Sequence, residues 1–154
     1  VRHPRAINLA ADNSPDVSYS DLISLASKLR PDRLIFGELR GAEVLRILDI
    51  ISVGHDGAAM TMHANSAEDA LSRLEAMGLM ANLGLGLSEI RMMIVNALNV
   101  ITVQMLMPNG HRRITYIGEL RGLENDHYVL QPLMRYNPEL DRLEASNAQP
   151  SWQS

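Results

Sequence analysis

The sequence predicts an α/β fold in which helices pack on a mainly parallel sheet and an antiparallel strand meander follows. Two observations lead to this prediction. Up to residue 98, short apolar runs of strand character alternate with segments whose apolar residues recur at helical spacing. After residue 100, strand-like runs follow one another directly and are separated by turn residues instead of helices. The first pattern is typical of parallel sheets, and the second is typical of antiparallel ones.

The composition is that of a globular domain. The chain has 154 residues, of which 46% are apolar and 21% charged, which suffices for one domain with a core. The absence of cysteine excludes disulfides and thiolate metal sites, and the net charge of −4 disfavours broad nucleic-acid binding. The sequence contains no signal-peptide pattern and no apolar run long enough to span a bilayer. Because it opens on Val1 within a strand-like stretch, we expect a piece of a longer protein.

Seven elements are predicted before the meander, from periodicity and from helix start and stop signals. They are a strand at 6–9, a helix at 19–29, a strand at 34–37, a helix at 42–51, a strand at 58–63, a helix from Ser66 to about Met80 and a helix at 88–98. Ser18 with Asp21, and Ser66 with Asp69, have the spacing of capping boxes at two helix starts. Pro31 ends the first helix, because the residue before a proline is disfavoured in helical conformation.

The meander is predicted from turn chemistry. Strand-like runs at 100–107 and 112–120 flank Pro-Asn-Gly-His at 108–111, which is a hairpin signal, and a third strand is expected at 128–134. Beyond it the composition becomes polar and unpatterned. The predicted division is a domain at 1–136 and a loose polar tail at 137–154.

Glu38 is the first candidate catalytic residue. It follows the apolar run 34–37, and a buried parallel strand that ends on a carboxylate presents that acid at the carboxyl edge of a sheet, where ligands bind. A carboxylate in that position can hold and polarise a water molecule for phosphoryl transfer. The alternative is a strand-terminal acid that caps a neighbouring helix or pairs with Arg40.

Two histidines follow Glu38 along the chain. His63 ends the next strand-like run, where an imidazole can contact a ligand at the edge of the sheet; the alternative is a histidine bonded to the backbone. His55 lies in the glycine-rich turn 54–57 and is either a second histidine that senses a bound ligand or a solvated loop residue. No third ligand follows at a suitable spacing, so we expect no metal site formed by this chain.

Arg30, Arg33 and Arg40 add positive charge around the predicted acid. Arginine presents a planar fork that matches carboxylate and phosphate oxygens. We expect Arg40 to hold the Glu38 loop by an ion pair, whereas Arg33 could equally be a solvated edge residue. Glu43, near the start of the second predicted helix, is expected to interact favourably with the helix dipole.

The order and spacing of these motifs resemble the Walker B segment and histidine box of the secretion ATPases of type II and type IV systems. The segments that carry the resemblance are Arg-Pro-Asp-Arg-Leu-Ile-Phe-Gly-Glu-Leu-Arg-Gly at 30–41, Gly-His-Asp-Gly at 54–57 and Met-His-Ala-Asn at 62–65. The likeness covers roughly residues 1 to 135 and is strongest to pilus-assembly ATPases of the tight-adherence class. No Gly-x-x-x-x-Gly-Lys-[Ser/Thr] phosphate loop occurs in the sequence.

The resemblance implies the carboxyl-terminal part of a RecA-like P-loop NTPase domain, with Glu38, His63 and Arg40 as catalytic residues. His55, Arg30 and Arg33 would contact the nucleotide. It implies ATP and Mg²⁺ as ligands, both of which need upstream residues, because Gly37 stands where many P-loop enzymes carry a magnesium-binding aspartate. We therefore expect this chain alone to be inactive.

The resemblance also implies a biological setting. The complete protein would be a homohexamer at the cytoplasmic face of the bacterial inner membrane, powering pilus assembly or protein secretion. It would associate with the membrane only through inner-membrane platform proteins. Because the chain is acidic and poor in aromatic residues, we expect it to bind no nucleic acid. The alternatives are a conjugation or type IV secretion ATPase, a pilus-retraction ATPase, or a non-catalytic interaction module of the same fold.

Overall fold

The computed structural model describes residues 4–10, 16–55 and 57–153. Its elements are α1 (Tyr19–Lys28), β1 (Ile35–Phe36), α2 (Val44–Ser52), β2 (Ala59–Met60), α3 (Ala67–Met80), α4 (Leu87–Ala97), β3 (Val100–Leu106), β4 (Arg112–Glu124), β5 (His127–Asn137), β6 (Arg142–Ala145) and a 3-10 helix (Ser151–Gln153). None of the helices in these ranges combines the length and the apolar character needed to cross a bilayer.

The fold is mixed α/β, but its larger sheet is antiparallel. Strands β1 and β2 form a parallel pair, and β3 to β6 form a four-stranded sheet in sequential order. The prediction of a mainly parallel sheet is therefore wrong for the described residues. The reason lies in the connections: β1–α2–β2 is the one helical crossover between paired strands in these ranges, whereas hairpins join the four later strands and require antiparallel pairing.

The core lies between the helices and the inner faces of both sheets. Its fully buried side chains come from the three central helices and are Val44, Ile47, Leu48, Leu71, Ile90 and Ile94. Gly78 allows α3 to approach its neighbours closely, because a Cβ atom there would lie 2.9 Å from Cγ2 of Ile90 and 3.1 Å from Cδ2 of Leu45. Leu120 of β4 joins the same core, so the antiparallel sheet packs onto the helical layer.

The predicted helices form, with small differences at their ends. Helix α1 begins with a complete capping box: the Ser18 hydroxyl accepts from the Asp21 N–H, and the Asp21 carboxylate accepts from the Ser18 N–H at 2.9 Å. The second capping box is only half formed. Ser66 accepts from the N–H of Asp69, but the Asp69 carboxylate accepts from the N–H of Asn65 instead, at 2.8 Å.

The parallel strands are shorter than predicted, although their hydrogen bonding continues beyond them. The Ala59 N–H donates to the Leu34 carbonyl at 2.9 Å, and the Leu39 N–H donates to the Thr61 carbonyl at 2.9 Å. The predicted strand at 6–9 does not form, because no neighbouring strand pairs with it in the described part of the chain; Ile7 is 70% exposed. Most of the predicted loop at 10–16 lies outside the described residues.

The meander has four strands instead of three. The β4–β5 turn places Asn125 and Asp126 at φ 49° and 62°, the left-handed pair that a two-residue hairpin requires. The prediction of a loose tail after residue 137 is wrong for the described residues, because β6 pairs with β5. Polar contacts hold this edge strand: the Asn137 amide donates to the Glu144 carboxylate at 2.9 Å. The division of the chain at residue 136 stays a prediction.

Candidate functional site

Glu38 lies at the carboxyl edge of the parallel pair, as its sequence context predicts. The backbone on both sides of it is anchored: the Thr61 hydroxyl donates to the Gly37 carbonyl, and the Leu39 N–H donates to the Thr61 carbonyl. The Glu38 side chain is 27% exposed, so its carboxylate is open to a ligand while its position is fixed from β2. The contribution of Thr61 was missed by sequence reasoning, since a strand threonine gives no distinctive signal.

Two further predicted residues meet Glu38 at this edge. Nε2 of His63 lies 3.2 Å from Oε1 of Glu38, and the guanidinium of Arg40 donates to Oε2. The His63 and Arg40 side chains are 93% and 78% exposed, so both project into the solvent in front of the strand ends. The structure thus brings together the three residues predicted to be catalytic.

The electrostatics of the cluster keep Glu38 ionised. The hydrogen bond from Arg40 lowers the pKa of the Glu38 carboxyl, and the nearby charges of Arg40 and His63 lower it further. An ionised carboxylate is the form that can accept a proton from water.

Glu43 holds the turn that carries this cluster. Its Oε1 accepts from the backbone N–H of Arg40 at 3.1 Å and from that of Gly41 at 3.2 Å. Glu43 is the N-cap of α2, and its carboxylate fixes the chain between Glu38 and the helix. Sequence reasoning assigned Glu43 only to the helix dipole; its separation of three residues from Arg40 was the signal that could have revealed this role.

The other predicted ligand-binding residues do not join the cluster. Nδ1 of His55 donates to the Ile50 carbonyl at 3.0 Å, near the end of α2. The Arg33 guanidinium lies beside Gly57, where a Cβ atom would stand 2.6 Å from Nη1. Arg30 follows the C-cap of α1, and its backbone φ of 48° lies in the left-handed region. Among the described residues, no hydrogen bond or ion pair links any of these three side chains to Glu38.

The cluster can donate hydrogen bonds to a phosphate group but offers few ligands to a metal ion. Exposed guanidinium and imidazole groups beside a carboxylate can donate to phosphate oxygens. Gly37 offers no carboxylate for a cation, and the sequence contains no phosphate loop. Arg40 and His63 therefore offer donors to a phosphate group, whereas the cluster does not hold a complete set of ligands for a cation.

Comparison with known proteins assigns the chain to a family. Residues 2–128 match the profile of a family described as Type II/IV secretion system protein. The chain belongs to this family. The resemblance to type II and type IV secretion ATPases predicted from the sequence is thereby confirmed.

Several relatives of this chain have names from conjugal transfer or type IV secretion. A putative conjugal transfer protein of Mycobacterium tuberculosis is 34% identical over 128 residues, which cover 80% of this chain and 36% of the relative. The conjugal transfer protein TrbB of Rhizobium radiobacter is 33% identical over 128 residues, covering 79% of this chain and 38% of TrbB. This chain thus spans little more than a third of the length of these two relatives.

A solved structure has a similar fold. The VirB11 ATPase of the Brucella suis type IV secretion system, solved in complex with sulphate, superposes with a TM-score of 0.61. The two are 26% identical, and the match covers 67% of this chain and 32% of VirB11. These relatives favour the conjugation and type IV secretion alternative over the expectation of pilus assembly in the tight-adherence class.

Proposed function

We propose that this chain supplies the water-activating part of an ATPase that powers conjugal transfer or type IV secretion, with Glu38 as the residue that activates water. The observation that carries this proposal is the arrangement of Glu38, Arg40 and His63 at the carboxyl edge of β1 and β2. Membership of a family that contains the VirB11 ATPase supports the choice of ATP as substrate.

The proposed chemistry assigns a separate role to each side chain. Both oxygens of Glu38 are engaged, one by His63 and the other by Arg40. Each oxygen keeps a lone pair that can accept from water, and departure of the His63 side chain, which is 93% exposed, would free a second acceptor site on Oε1. The carboxylate then orients the water and accepts its proton, while Arg40 and His63 donate to oxygens of the terminal phosphate.

The remaining segments of the complete protein would supply the other half of the site. Within the described residues, β2 pairs only with β1, so its outer edge is open to a further strand. Ile35 of β1 is 59% exposed, although parallel sheets are normally covered on both faces. Both features support a larger parallel sheet in the complete protein, with the phosphate loop at its edge. Bound Mg²⁺ would neutralise charge that develops on the phosphates.

The proposal extends to assembly and location. We infer a homohexamer at the cytoplasmic face of the bacterial inner membrane that contacts inner-membrane platform proteins. His55, Arg30 and Arg33 remain candidates for nucleotide contacts in that assembly, since sequence separation from Glu38 does not prevent contact across subunits. A pilus-assembly or retraction ATPase is the second candidate, because the matched family includes type II as well as type IV systems.

The test uses the complete protein encoded by the same reading frame. Purified protein should hydrolyse ATP, and a strain that lacks it should lose conjugal transfer or type IV secretion while assembling pili normally. Loss of pili with intact transfer would favour the second candidate. If the complete protein neither binds nor hydrolyses ATP, the ATPase proposal is wrong and the chain is part of a non-catalytic interaction module.

A further inference from the structure

His63 lies on the short connection between strand β2 and helix α3. The connection is fixed at its first end by Thr61, whose N–H donates to the Phe36 carbonyl at 3.2 Å, and Met62 packs against the core. Among the described residues, neither His63 nor Ala64 takes part in a backbone hydrogen bond. The position of His63 therefore also depends on how the connection is held at its other end, where α3 begins.

Asp69, the third residue of α3, holds that other end. Its Oδ2 accepts from the backbone N–H of Asn65 at 2.8 Å and from the side-chain amide of the same residue at 3.0 Å. Asn65 is two residues beyond His63. One carboxylate oxygen thus fixes both the backbone and the side chain of a residue close to the imidazole.

The Asp69 carboxylate is itself held in place on the helix. Arg73, one turn further along α3, donates through Nε to Oδ1 at 3.2 Å and to Oδ2 at 3.3 Å. The backbone hydrogen bond from Asn65 is the main cause that lowers the pKa of Asp69, so the carboxylate is ionised at neutral pH. Hydrogen bonds to an ionised acceptor are stronger than those between neutral groups.

The direction of these bonds indicates a role beyond helix capping. In a complete capping box, the acid of the first turn would accept from the N–H of the N-cap residue, which is Ser66. Asp69 keeps the other half of the box, because its own N–H donates to the Ser66 hydroxyl at 3.1 Å. Its carboxylate reaches past Ser66 to Asn65, one residue closer to His63.

The neighbouring strand end is held in the same way. Glu43, at the start of α2, accepts from the backbone N–H groups of Arg40 and Gly41 and so fixes the turn behind Glu38. Each of the two parallel strands is therefore followed by a helix whose first carboxylate-bearing turn holds the connection. Asp69 occupies in one connection the place that Glu43 occupies in the other.

We propose that Asp69 is a positioning residue that keeps His63 beside Glu38. The proposal rests on the proposed function, in which His63 donates to an oxygen of the terminal phosphate. While Asn65 is held, Nε2 of His63 stays at 3.2 Å from the Glu38 carboxylate. Loss of the Asp69 carboxylate frees the connection, and the exposed imidazole moves away from the strand ends.

The first test measures backbone order by NMR in the 154-residue chain. In the wild type, the order parameters of residues 63–65 should be near those of rigid backbone, about 0.85. In Asp69→Ala they should fall below about 0.6, the range of flexible chain. Glu68→Ala, which removes the neighbouring exposed carboxylate of the same turn, is the matched control and should keep the wild-type values. Ser66→Ala removes the other capping bond and should also leave residues 63–65 ordered.

The proposal is overturned if residues 63–65 stay ordered in Asp69→Ala or are already flexible in the wild type. It is equally overturned if Ser66→Ala loosens them as much, because the start of the helix would then hold the connection and not the carboxylate. If Asp69→Ala fails to fold, Asp69→Asn, which keeps the shape of the side chain and removes the charge, decides by the same criteria.

The contact between His63 and Glu38 gives a second measurement that a loss of stability alone would not change. In an otherwise wild-type chain, Glu38→Gln should shift the NMR signals of the His63 ring, because it removes a charge 3.2 Å from Nε2. In a chain that also carries Asp69→Ala, those signals should stay in place, since the ring has already left the carboxylate. A shift of equal size in both chains overturns the proposal.

The complete protein tests the consequence for function. Asp69→Ala should reproduce the effect of His63→Ala, with loss of transport relative to the ATP hydrolysed and with nucleotide affinity largely intact. Unchanged transport and turnover would show that the position of His63 does not depend on Asp69 during the reaction. If the wild-type complete protein hydrolyses no ATP, the proposed function fails, whereas the two NMR measurements still decide whether Asp69 positions His63.

Discussion

Nε2 of His63 lies 3.2 Å from Oε1 of Glu38, the carboxylate oxygen that Arg40 does not contact. The two residues come from the ends of neighbouring parallel strands, and Thr61 ties those ends together through the Gly37 carbonyl. An exposed imidazole next to a carboxylate whose backbone is anchored can leave that carboxylate when a phosphate offers a better partner. This relationship leads to the first prediction.

Replacement of His63 by alanine in the complete protein should uncouple ATP hydrolysis from transport. Nucleotide affinity should remain largely intact, because His63 contacts only the terminal phosphate in the proposed arrangement. The measurements are nucleotide binding, ATP turnover and transfer or secretion output. His127→Ala, at an exposed histidine of β5, is the control. If His63→Ala leaves both turnover and transport unchanged, His63 is a structural partner of Glu38 and not a sensor.

Replacement of Arg40 by alanine should raise the pKa of Glu38. In the folded chain Arg40 lowers that pKa, so the contact stabilises the fold above the unfolded pKa and is lost as the pH falls through the folded pKa. Without Arg40 the carboxylate should take up its proton at higher pH. NMR titration of the Glu38 carboxyl carbon in this chain measures the shift, with Arg112→Ala as control. A midpoint that does not move would show that the Arg40 contact does not form in solution.

In the complete protein, replacement of Glu43 by alanine should lower the kcat of ATP hydrolysis while leaving the KM for ATP nearly unchanged. The variant loses the acceptor of the Arg40 and Gly41 N–H groups, so the turn behind Glu38 loosens without loss of a group that touches substrate. Misplacement by about 1 Å can reduce turnover by about 10²-fold. Glu68→Ala, at the start of α3, removes a comparable charge away from the site. A change in KM alone would mean that Glu43 acts on binding and not on the position of Glu38.

Replacement of Gly78 by alanine should destabilise the helical core. Alanine gains about 1 kcal/mol of helix propensity over glycine in a helix interior. Its Cβ would lie 2.9 Å from Cγ2 of Ile90, an inner branch atom that cannot swing away, and such overpacking costs about 1–3 kcal/mol. We expect a net loss of up to about 2 kcal/mol in urea unfolding. Ser72→Ala, on the exposed side of α3, should not destabilise the chain. Equal or greater stability of Gly78→Ala would contradict the close packing of α3 on α4.

The helices could be predicted from the sequence because their signals are local. The capping pair of Ser18 and Asp21 and the apolar periodicity of α2 each act within a few residues. The ends of the strands were less predictable, because the length of a strand depends on its pairing partner, which can be distant in sequence. Ile35 and Phe36 pair with Ala59 and Met60, and residues 6–9 have no partner among the described residues. Strand β6 was missed because its polar and apolar residues alternate over only four positions, too short a run to indicate a strand within a polar segment.

The candidate site was also predictable only in part. Glu38 and His63 were each predicted at the end of a strand, where parallel strands share an edge, and an ion pair between Arg40 and Glu38 was expected. Glu43 and Thr61 were missed because their roles depend on backbone groups that only the folded turn presents. The positions of His55, Arg30 and Arg33 relative to Glu38 depend on loop conformation, which residue spacing alone does not determine.

The most direct test of the account is the steady-state ATPase rate of the complete protein carrying Glu38→Gln. Glutamine preserves the shape of the side chain but accepts no proton, so ATP binding should persist while turnover falls by about 10²- to 10⁴-fold. Glu89→Gln, at the start of α4, should keep the wild-type rate. A rate for Glu38→Gln that stays close to wild type would show that Glu38 is not the residue that activates water.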